Sequence, residues 1–349
     1  HGPFSHLFEK FLHTFPDKAT YKHETASVKM FDHLVKENKL ENDFAVWNLN
    51  KDDIKFIKNL IDSSSKTNIA EQVRKLILNA SQTTIGHLKT TNILYINNSE
   101  DDRVKEKPFL FEIVANKRNG IDVDKWDYFA RDCYHLGITS HFDLHRFMKL
   151  CRVVDVDGEK QICYRDKEMD NIYDMYHTRS MLHRRAYKHK TTMIIEYMID
   201  EAFKLANDYI LTKGKTGYRI SECIDDLDAY TKLTDYLYHR ILYSTEDDLS
   251  QAREILERIE SRNLYRFIGE AKYKQQQQQP KSITQASDKI PGMISDIVKC
   301  DESNVIKDAD IVLLSMTIDY GKKDKNPVDD VKFYKKKDPE KASSIDKNQ

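Results

Sequence analysis

The sequence predicts a mainly α-helical protein with one small β-hairpin in its middle and a smaller α+β lobe at its C-terminal end. Three observations carry the prediction. Apolar residues recur at helical spacing over most of the stretch up to Leu264. A single Asp157-Gly158 pair stands between the two β-rich runs of RVVDVDGEKQICYR, a strong hairpin signal. Beyond the five consecutive glutamines at 275–279 the helical pattern gives way to short β-rich runs. The division this implies is a helical domain over 1–264 and an α+β lobe over 265–349, with a low-complexity insertion at 274–282.

Each element has its own warrant. Gly2-Pro3 is a turn signal, and a short helix follows from Phe4, with His6 and Glu9 at i, i+3. HETASVKMFDHLVKE opens at His23 and carries the stripe Val28, Phe31, Leu34, Val35. Helices are predicted over 51–62 and 69–80, and a loop over 81–105. Residues 108–117 lead as a helix into NKRNGIDVDKWDYFARDCYHLG (116–137). In that segment Asp124, Asp127, Tyr128, Arg131, Asp132 and His135 share one helical face, while Trp126, Phe129, Ala130 and Cys133 suit a core. Gly120 precedes the helix and Gly137 stops it. Further helices are predicted over 140–152, 171–190, 191–210, 225–243 and 246–263, with a loop or small hairpin over 213–224. Residues 265–268, 311–318 and 331–334 read as strands, and the polar stretch 335–349 as a frayed end.

Composition narrows the function classes. Lys+Arg (56) and Asp+Glu (57) nearly cancel, so any anion site must come from local clustering. The five cysteines are scattered and form no CxxC pair, which favours a reducing compartment. No stretch approaches a membrane span of about 20 apolar residues, so no membrane partner is expected. Neither a GxxxxGK[ST] nor a GxGxxG motif occurs, which removes support for a P-loop or Rossmann site.

Two segments are dense in chemistry. The 124–135 face presents carboxylates, a phenol, a guanidinium and an imidazole within about three turns. It reads either as a solvated, ion-paired face or as a ligand wall. YDMYHTRSMLHRRAYKHK (173–190) places Tyr176, Arg179, Ser180, His183, Tyr187 and Lys190 on one face. Spacing leaves a solvated basic helix and a phosphate-binding face both open.

A resemblance favours the ligand readings. HGPFSH at the start, KRNGIDVDKWDYFARDCYHLG, YDMYHTRSMLHRRAYKHK and AYTKLTDYLYHRILYST together resemble the SAM and HD domain-containing deoxynucleoside triphosphate triphosphohydrolase family. The likeness runs from His1 and weakens after about Gly269. It implies an HD-domain helical bundle that hydrolyses a deoxynucleoside triphosphate to deoxynucleoside and inorganic triphosphate. It implies a divalent metal (zinc, iron or manganese at the HD site, magnesium with the nucleotide), of whose ligands Asp124 alone maps onto this sequence. His23 matches the catalytic histidine, His1 and His6 line the same pocket, and Glu9 stands where the family has an aspartate. Lys125, Tyr128, Asp132, Arg179, His183, Tyr187 and Lys188 match substrate contacts, with Tyr187 excluding a 2′-hydroxyl. Asp143, Arg146, Arg165, Lys167, Asn171, His189, Lys190, Arg253 and Lys325 match an allosteric nucleotide site. The resemblance further implies a guanine-nucleotide activator, a homotetramer, a nuclear location with a cytoplasmic alternative, and single-stranded nucleic acid as a partner in the non-catalytic alternative. Glu257 replaces a family lysine near that nucleotide, which disfavours guanine-nucleotide activation. Because the chain opens inside the family's HD-box signature, of which HGPFSH is the tail, the expectation is a fragment that is inactive alone.

Overall fold

The structure is a computed structural model that describes residues 1–62, 106–269, 307, 311–314 and 326–344. The N-terminal helices are α1 (His6–Leu12), α2 (His23–Glu37), α3 (Glu41–Val46) and α4 (Lys51–Ile61). A 3-10 turn at Pro108–Leu110 leads into the short α5 (Phe111–Val114), then α6 (Val123–Leu136) and α7 (Leu144–Lys149). The hairpin β1 (Cys151–Val156) and β2 (Glu159–Arg165) turns at Asp157-Gly158, with antiparallel register Val156↔Glu159 to Cys151↔Tyr164. Next come α8 (Met169–Leu182), a π-helical turn at His183–Tyr187, and α9 (Lys190–Ala206). The two-residue strands β3 (Thr212–Lys213) and β4 (Gly217–Tyr218) precede α10 (Leu227–Tyr230), α11 (Tyr236–Leu242) and α12 (Ser250–Glu260). Strands β5 (Phe333–Lys335) and β6 (Asp338–Ser343) complete a four-stranded sheet of order β1-β2-β5-β6. The mainly α architecture with a small sheet is the one the sequence predicts.

Two large apolar clusters organise these elements. The first joins Leu7, Phe8, Phe11 and Leu12 of α1 to Met198, Ala202, Phe203 and Ala206 of α9, and to Ile241 and Leu256. Gly2 is required at its edge: φ is +79°, and a Cβ there would sit 2.3 Å from the fully buried Phe8 ring. The second cluster joins Phe129 and Cys133 of α6 to Phe147, Tyr164, Ile172, Met175 and Leu182. Gly137, at φ +63°, ends α6 in the left-handed conformation and lets the Ile138 N–H reach the Cys133 carbonyl (2.9 Å).

Several element boundaries differ from the sequence reading. The helix predicted over 140–152 is only Leu144–Lys149, because Leu150 gives its carbonyl to the Arg165 N–H (3.2 Å) and the Tyr334 hydroxyl (3.0 Å). The helix predicted over 225–243 splits in two, and at the break Asp235 accepts the Phe4 N–H (2.7 Å). Residues 265–268 form no strand; the Tyr265 hydroxyl instead donates to Glu201 (2.6 Å) and its ring lies under Arg258. The 335–349 stretch is not frayed over its first part, since Asp338–Ser343 pairs with Phe333–Lys335. Tyr334 and Ala342 are held by packing on Val154, Val156 and Cys163, which a reading of local polarity misses. The helix predicted over 108–117 is the 3-10 turn plus α5, ending at Val114. Residues 311–314 show no strand, and the rest of that predicted strand lies outside the described residues. So do the predicted helix 69–80, the loop 81–105, the glutamine-rich stretch 274–282 and Lys325.

Candidate active site

The first constellation gathers at the N-terminus. His6 and Glu9 lie one turn apart on α1, and His23 is the first residue of α2. The His23 Nδ1 is hydrogen-bonded to Glu9 Oε2, and Glu24 Oε2 lies 3.7 Å from the same nitrogen. A carboxylate can only accept, so Nδ1 carries the hydrogen and Nε2 is left to give or take a proton. The ring of His1 lies 4.4 Å from that of His23 and 5.8 Å from that of His6, and His6 meets His23 edge-on at 5.0 Å. Glu9 also faces His13, whose Nε2 is 3.9 Å away and bonds the Tyr21 carbonyl at 2.8 Å. All four residues that the resemblance nominates here are therefore neighbours, and His13 and Glu24 join them without any sequence signal beyond their spacing.

The second constellation is built on α6 and α8. The loop before α6 is held closely: Asn116 donates its N–H to Asp122 (3.1 Å) and its amide to the Ile121 carbonyl (3.1 Å). The Tyr176 hydroxyl donates to the Asn119 carbonyl (2.6 Å). Arg118 bridges the buried Glu112 (2.9 Å) and Glu159 (2.7 Å), which ties this loop to the hairpin. Burial raises the Glu112 carboxyl above its ordinary value, with Arg118 and the Ile162 N–H opposing. Asp122 caps α6 by accepting the Lys125 N–H (3.2 Å), and its two oxygens also hold the Lys125 ammonium (3.2 Å each). Lys125 is thus positioned by a residue the sequence reading did not single out.

Farther along α6, the Tyr187 hydroxyl from the π turn donates to Asp132, and Arg131 Nε reaches the same carboxylate at 3.3 Å. The Tyr128 and Tyr187 rings lie 6.2 Å apart, and His183 packs edge-on to Tyr187 at 5.2 Å. Burial pushes the Tyr128 phenol up to about 12, against the lowering effect of the adjacent Arg179 guanidinium. Tyr128, Asp132, Arg179, His183 and Tyr187 therefore form one wall. Lys188 follows directly, its N–H bonded to the His183 carbonyl (2.7 Å). A carboxylate, two phenols and a guanidinium on one half-buried wall suit a ligand with hydroxyls and phosphates.

Asp124 is exposed on the first turn of α6. Among the described residues it joins no group of three convergent His, Cys, Asp or Glu donors. One carboxylate does not make a divalent-ion site, so the described residues do not by themselves fit the metal that an HD-type protein implies.

The residues matched to a regulatory nucleotide are spread over several elements. Asp143 caps α7, accepting the Arg146 N–H (3.0 Å), and Asn171 bonds both its N–H (2.8 Å) and its carbonyl (3.1 Å). Arg146 Nε pairs with the fully buried Glu168 (2.7 Å). Arg165 lies 3.8 Å from Asp166, and Lys167 is exposed. His189 caps α9, and Lys190 sits over the Phe267 ring at 4.7 Å. Arg253 donates to the Ser244 (2.6 Å) and Glu246 (3.3 Å) carbonyls, with Glu257 4.0 Å away. Asp143, Arg146 and Asn171 are joined through Glu168; Arg253 serves another part of the fold.

A helical fold that carries a histidine–carboxylate pair and, on other elements, a tyrosine- and arginine-lined wall suits the class of HD-type phosphohydrolases. No family model matches the chain. Curated relatives do: it is 45% identical over 358 residues to the deoxynucleoside triphosphate triphosphohydrolase SAMHD1 of Gallus gallus, covering 100% of this chain and 53% of that protein. Identity is 43% over 361 residues to the Homo sapiens protein of the same name (100% of this chain, 52% of that protein). An HD domain-containing protein of Acanthamoeba polyphaga mimivirus is 29% identical over 285 residues (77% of this chain, 50% of that protein). The chain belongs to the SAM and HD domain-containing triphosphohydrolase family and spans about half the length of the curated relatives it matches.

Proposed function

We propose that the protein containing this chain hydrolyses deoxynucleoside triphosphates to deoxynucleoside and inorganic triphosphate. The observation that carries the reading is the Glu9–His23 hydrogen bond, with His1 and His6 packed around the same ring. As a water oxygen bonds to the α-phosphorus, the bond to the 5′-oxygen breaks and leaves an alkoxide that needs a proton. His23 delivers it from Nε2 while Glu9, holding Nδ1–H, fixes the ring's orientation. Tyr128, Arg179 and Tyr187 hold the nucleotide, with Arg179 on phosphate and Tyr187 against the sugar's 2′ edge. Asp132 receives the 3′-hydroxyl. Lys125, oriented by Asp122, supplies a further cation. The family's divalent ion, with Asp124 as one ligand, belongs to the intact protein.

Regulation follows the same reading at a finer level. A guanine-nucleotide activator, tetramer assembly and a nuclear location rest on the family resemblance; Asp143, Arg146 and Asn171 are grouped through Glu168 where it puts a regulatory nucleotide, and Glu257 disfavours the guanine nucleotide. The experiment is product analysis on the full-length protein with a deoxynucleoside triphosphate. Release of intact triphosphate, abolished in Asp124→Ala and at least about 100-fold slower in His23→Ala, supports the reading. Release of monophosphate or pyrophosphate, or turnover unchanged in Asp124→Ala, overturns it.

A further inference from the structure

We infer that His6, Glu9 and His23 form a second divalent transition-metal site, separate from Asp124, and that an ion held there inhibits the protein. One ligand atom from each of these side chains lies within 4.8 Å of the other two. Among the described residues they are the group that meets this condition. Two imidazoles and one carboxylate are a donor set that suits zinc, manganese or cobalt, whereas magnesium and calcium favour all-oxygen shells.

The local sequence explains the convergence. His6-x-x-Glu9 sets two donors on one face of α1, one turn apart. The third arrives with the first residue of α2, after a 3-10 turn at Pro16–Lys18 brings the chain back. Glutamate is one methylene longer than the aspartate that the resemblance places here, and its carboxylate is hydrogen-bonded to His23 Nδ1. Zinc bonds of about 2.0–2.2 Å need donors roughly 3.3–3.5 Å apart, so closure asks for side-chain rotation of about an ångström. His6 is exposed, which gives an ion an entry path and leaves room for water at an open position. The charge also fits: Glu9 and Glu24 both face His23, and a neutral histidine ligand adds no positive charge to repel a cation.

Occupancy has a functional consequence that rests on the proposed role of His23. An ion on Nε2 occupies the position from which His23 would give its proton, and an ion on Nδ1 takes Glu9 away from the ring it orients. Transition metal beyond one equivalent at the Asp124 site would therefore slow turnover, and chelation would restore it.

The test is a cobalt(II) titration of the tag-free chain, read by its visible absorption and checked by far-ultraviolet circular dichroism. One ion per chain, with the absorption of a low-coordinate nitrogen–oxygen site, is the expected result. Glu9→Gln and His6→Ala should each weaken binding at least about 10–100-fold, while Asp124→Asn leaves it unchanged. Glu9→Gln keeps the side chain's shape, so it guards against a folding artefact in His6→Ala. Loss of the signal in Asp124→Asn, its persistence in both Glu9→Gln and His6→Ala, a thiolate charge-transfer band, or no bound ion would each overturn the inference. Since the readout is binding, a failed triphosphate assay would leave the metal site standing and remove only its inhibitory consequence.

Discussion

Replacing Asp122 with alanine removes three things at once, and the structure gives a size to each. Asp122 is 5% exposed and caps α6 through the Lys125 N–H. Loss of such a cap costs about 1 kcal/mol. The Asn116 N–H loses its acceptor, and Asn116 is only 4% exposed. A buried donor left unmatched costs about 1–3 kcal/mol. The Lys125 ammonium loses its partner but can turn to water, so that part is at most about 1 kcal/mol. The expected total is roughly 3 kcal/mol, read as a lowered midpoint in urea unfolding with unchanged slope. Asp127→Ala is the control, because its pairing with Arg131 is exposed on the same helix; its effect should stay within about 0.5 kcal/mol. If Asp122→Ala falls within about 1 kcal/mol of that control, the Asn116–Asp122–Lys125 network does not anchor α6, and the account of how Lys125 is placed fails with it.

Four further outcomes are expected. Gly2→Ala should destabilise the chain by about 1–3 kcal/mol, since it forces a side chain into positive φ and against Phe8; a urea midpoint equal to wild type would contradict this. Glu112 titrates above its ordinary value in the fold because of burial, so its share of stability is complete below the unfolded carboxyl range and declines as pH rises through the folded one. Glu112→Gln should therefore flatten the fall in unfolding free energy above about pH 4.5, and an unchanged slope would show that Arg118 already offsets the burial. Arg253→Ala should cost about 1–2 kcal/mol, because two carbonyls lose their donor; a purely regulatory arginine would leave stability alone. Tyr187→Ala in the full-length protein should reduce the preference for deoxy- over ribonucleoside triphosphate by about tenfold or more, measured as the ratio of kcat/KM values.

The hairpin was legible because Asp157-Gly158 supplies its own turn chemistry, with Asp157 at φ +56° and Gly158 at φ +86°. Helix α6 was legible for the same kind of reason, with a stop glycine after it and an apolar face of Phe129 and Cys133. His1 and His6 were nominated by the HGPFSH motif and His23 by its match to the family's catalytic histidine, but their closure on one another needed the turn between α1 and α2. Asp122 escaped notice because a cap looks like any other acid until its three donors are seen. His13 escaped because nothing in a spacing of four from Glu9 tells which acid the ring will meet.

The sequence alone determined that the chain is mainly helical, where the one clear hairpin turns, and which family it resembles. All of these depend on neighbours within a few residues or on a run of residue types. The tertiary structure decided what the chain could not state locally. Strand β6 forms from a polar tail because Tyr334 and Ala342 find Val154, Val156 and Cys163 nearly two hundred positions away. The helix near Asp235 breaks where its carboxylate takes the Phe4 N–H. Glu9 meets His23 on a helix α1 whose apolar face is packed against that of α9. Each outcome is set by burial of distant surfaces, whose free energy does not appear in any window of sequence shorter than the fold.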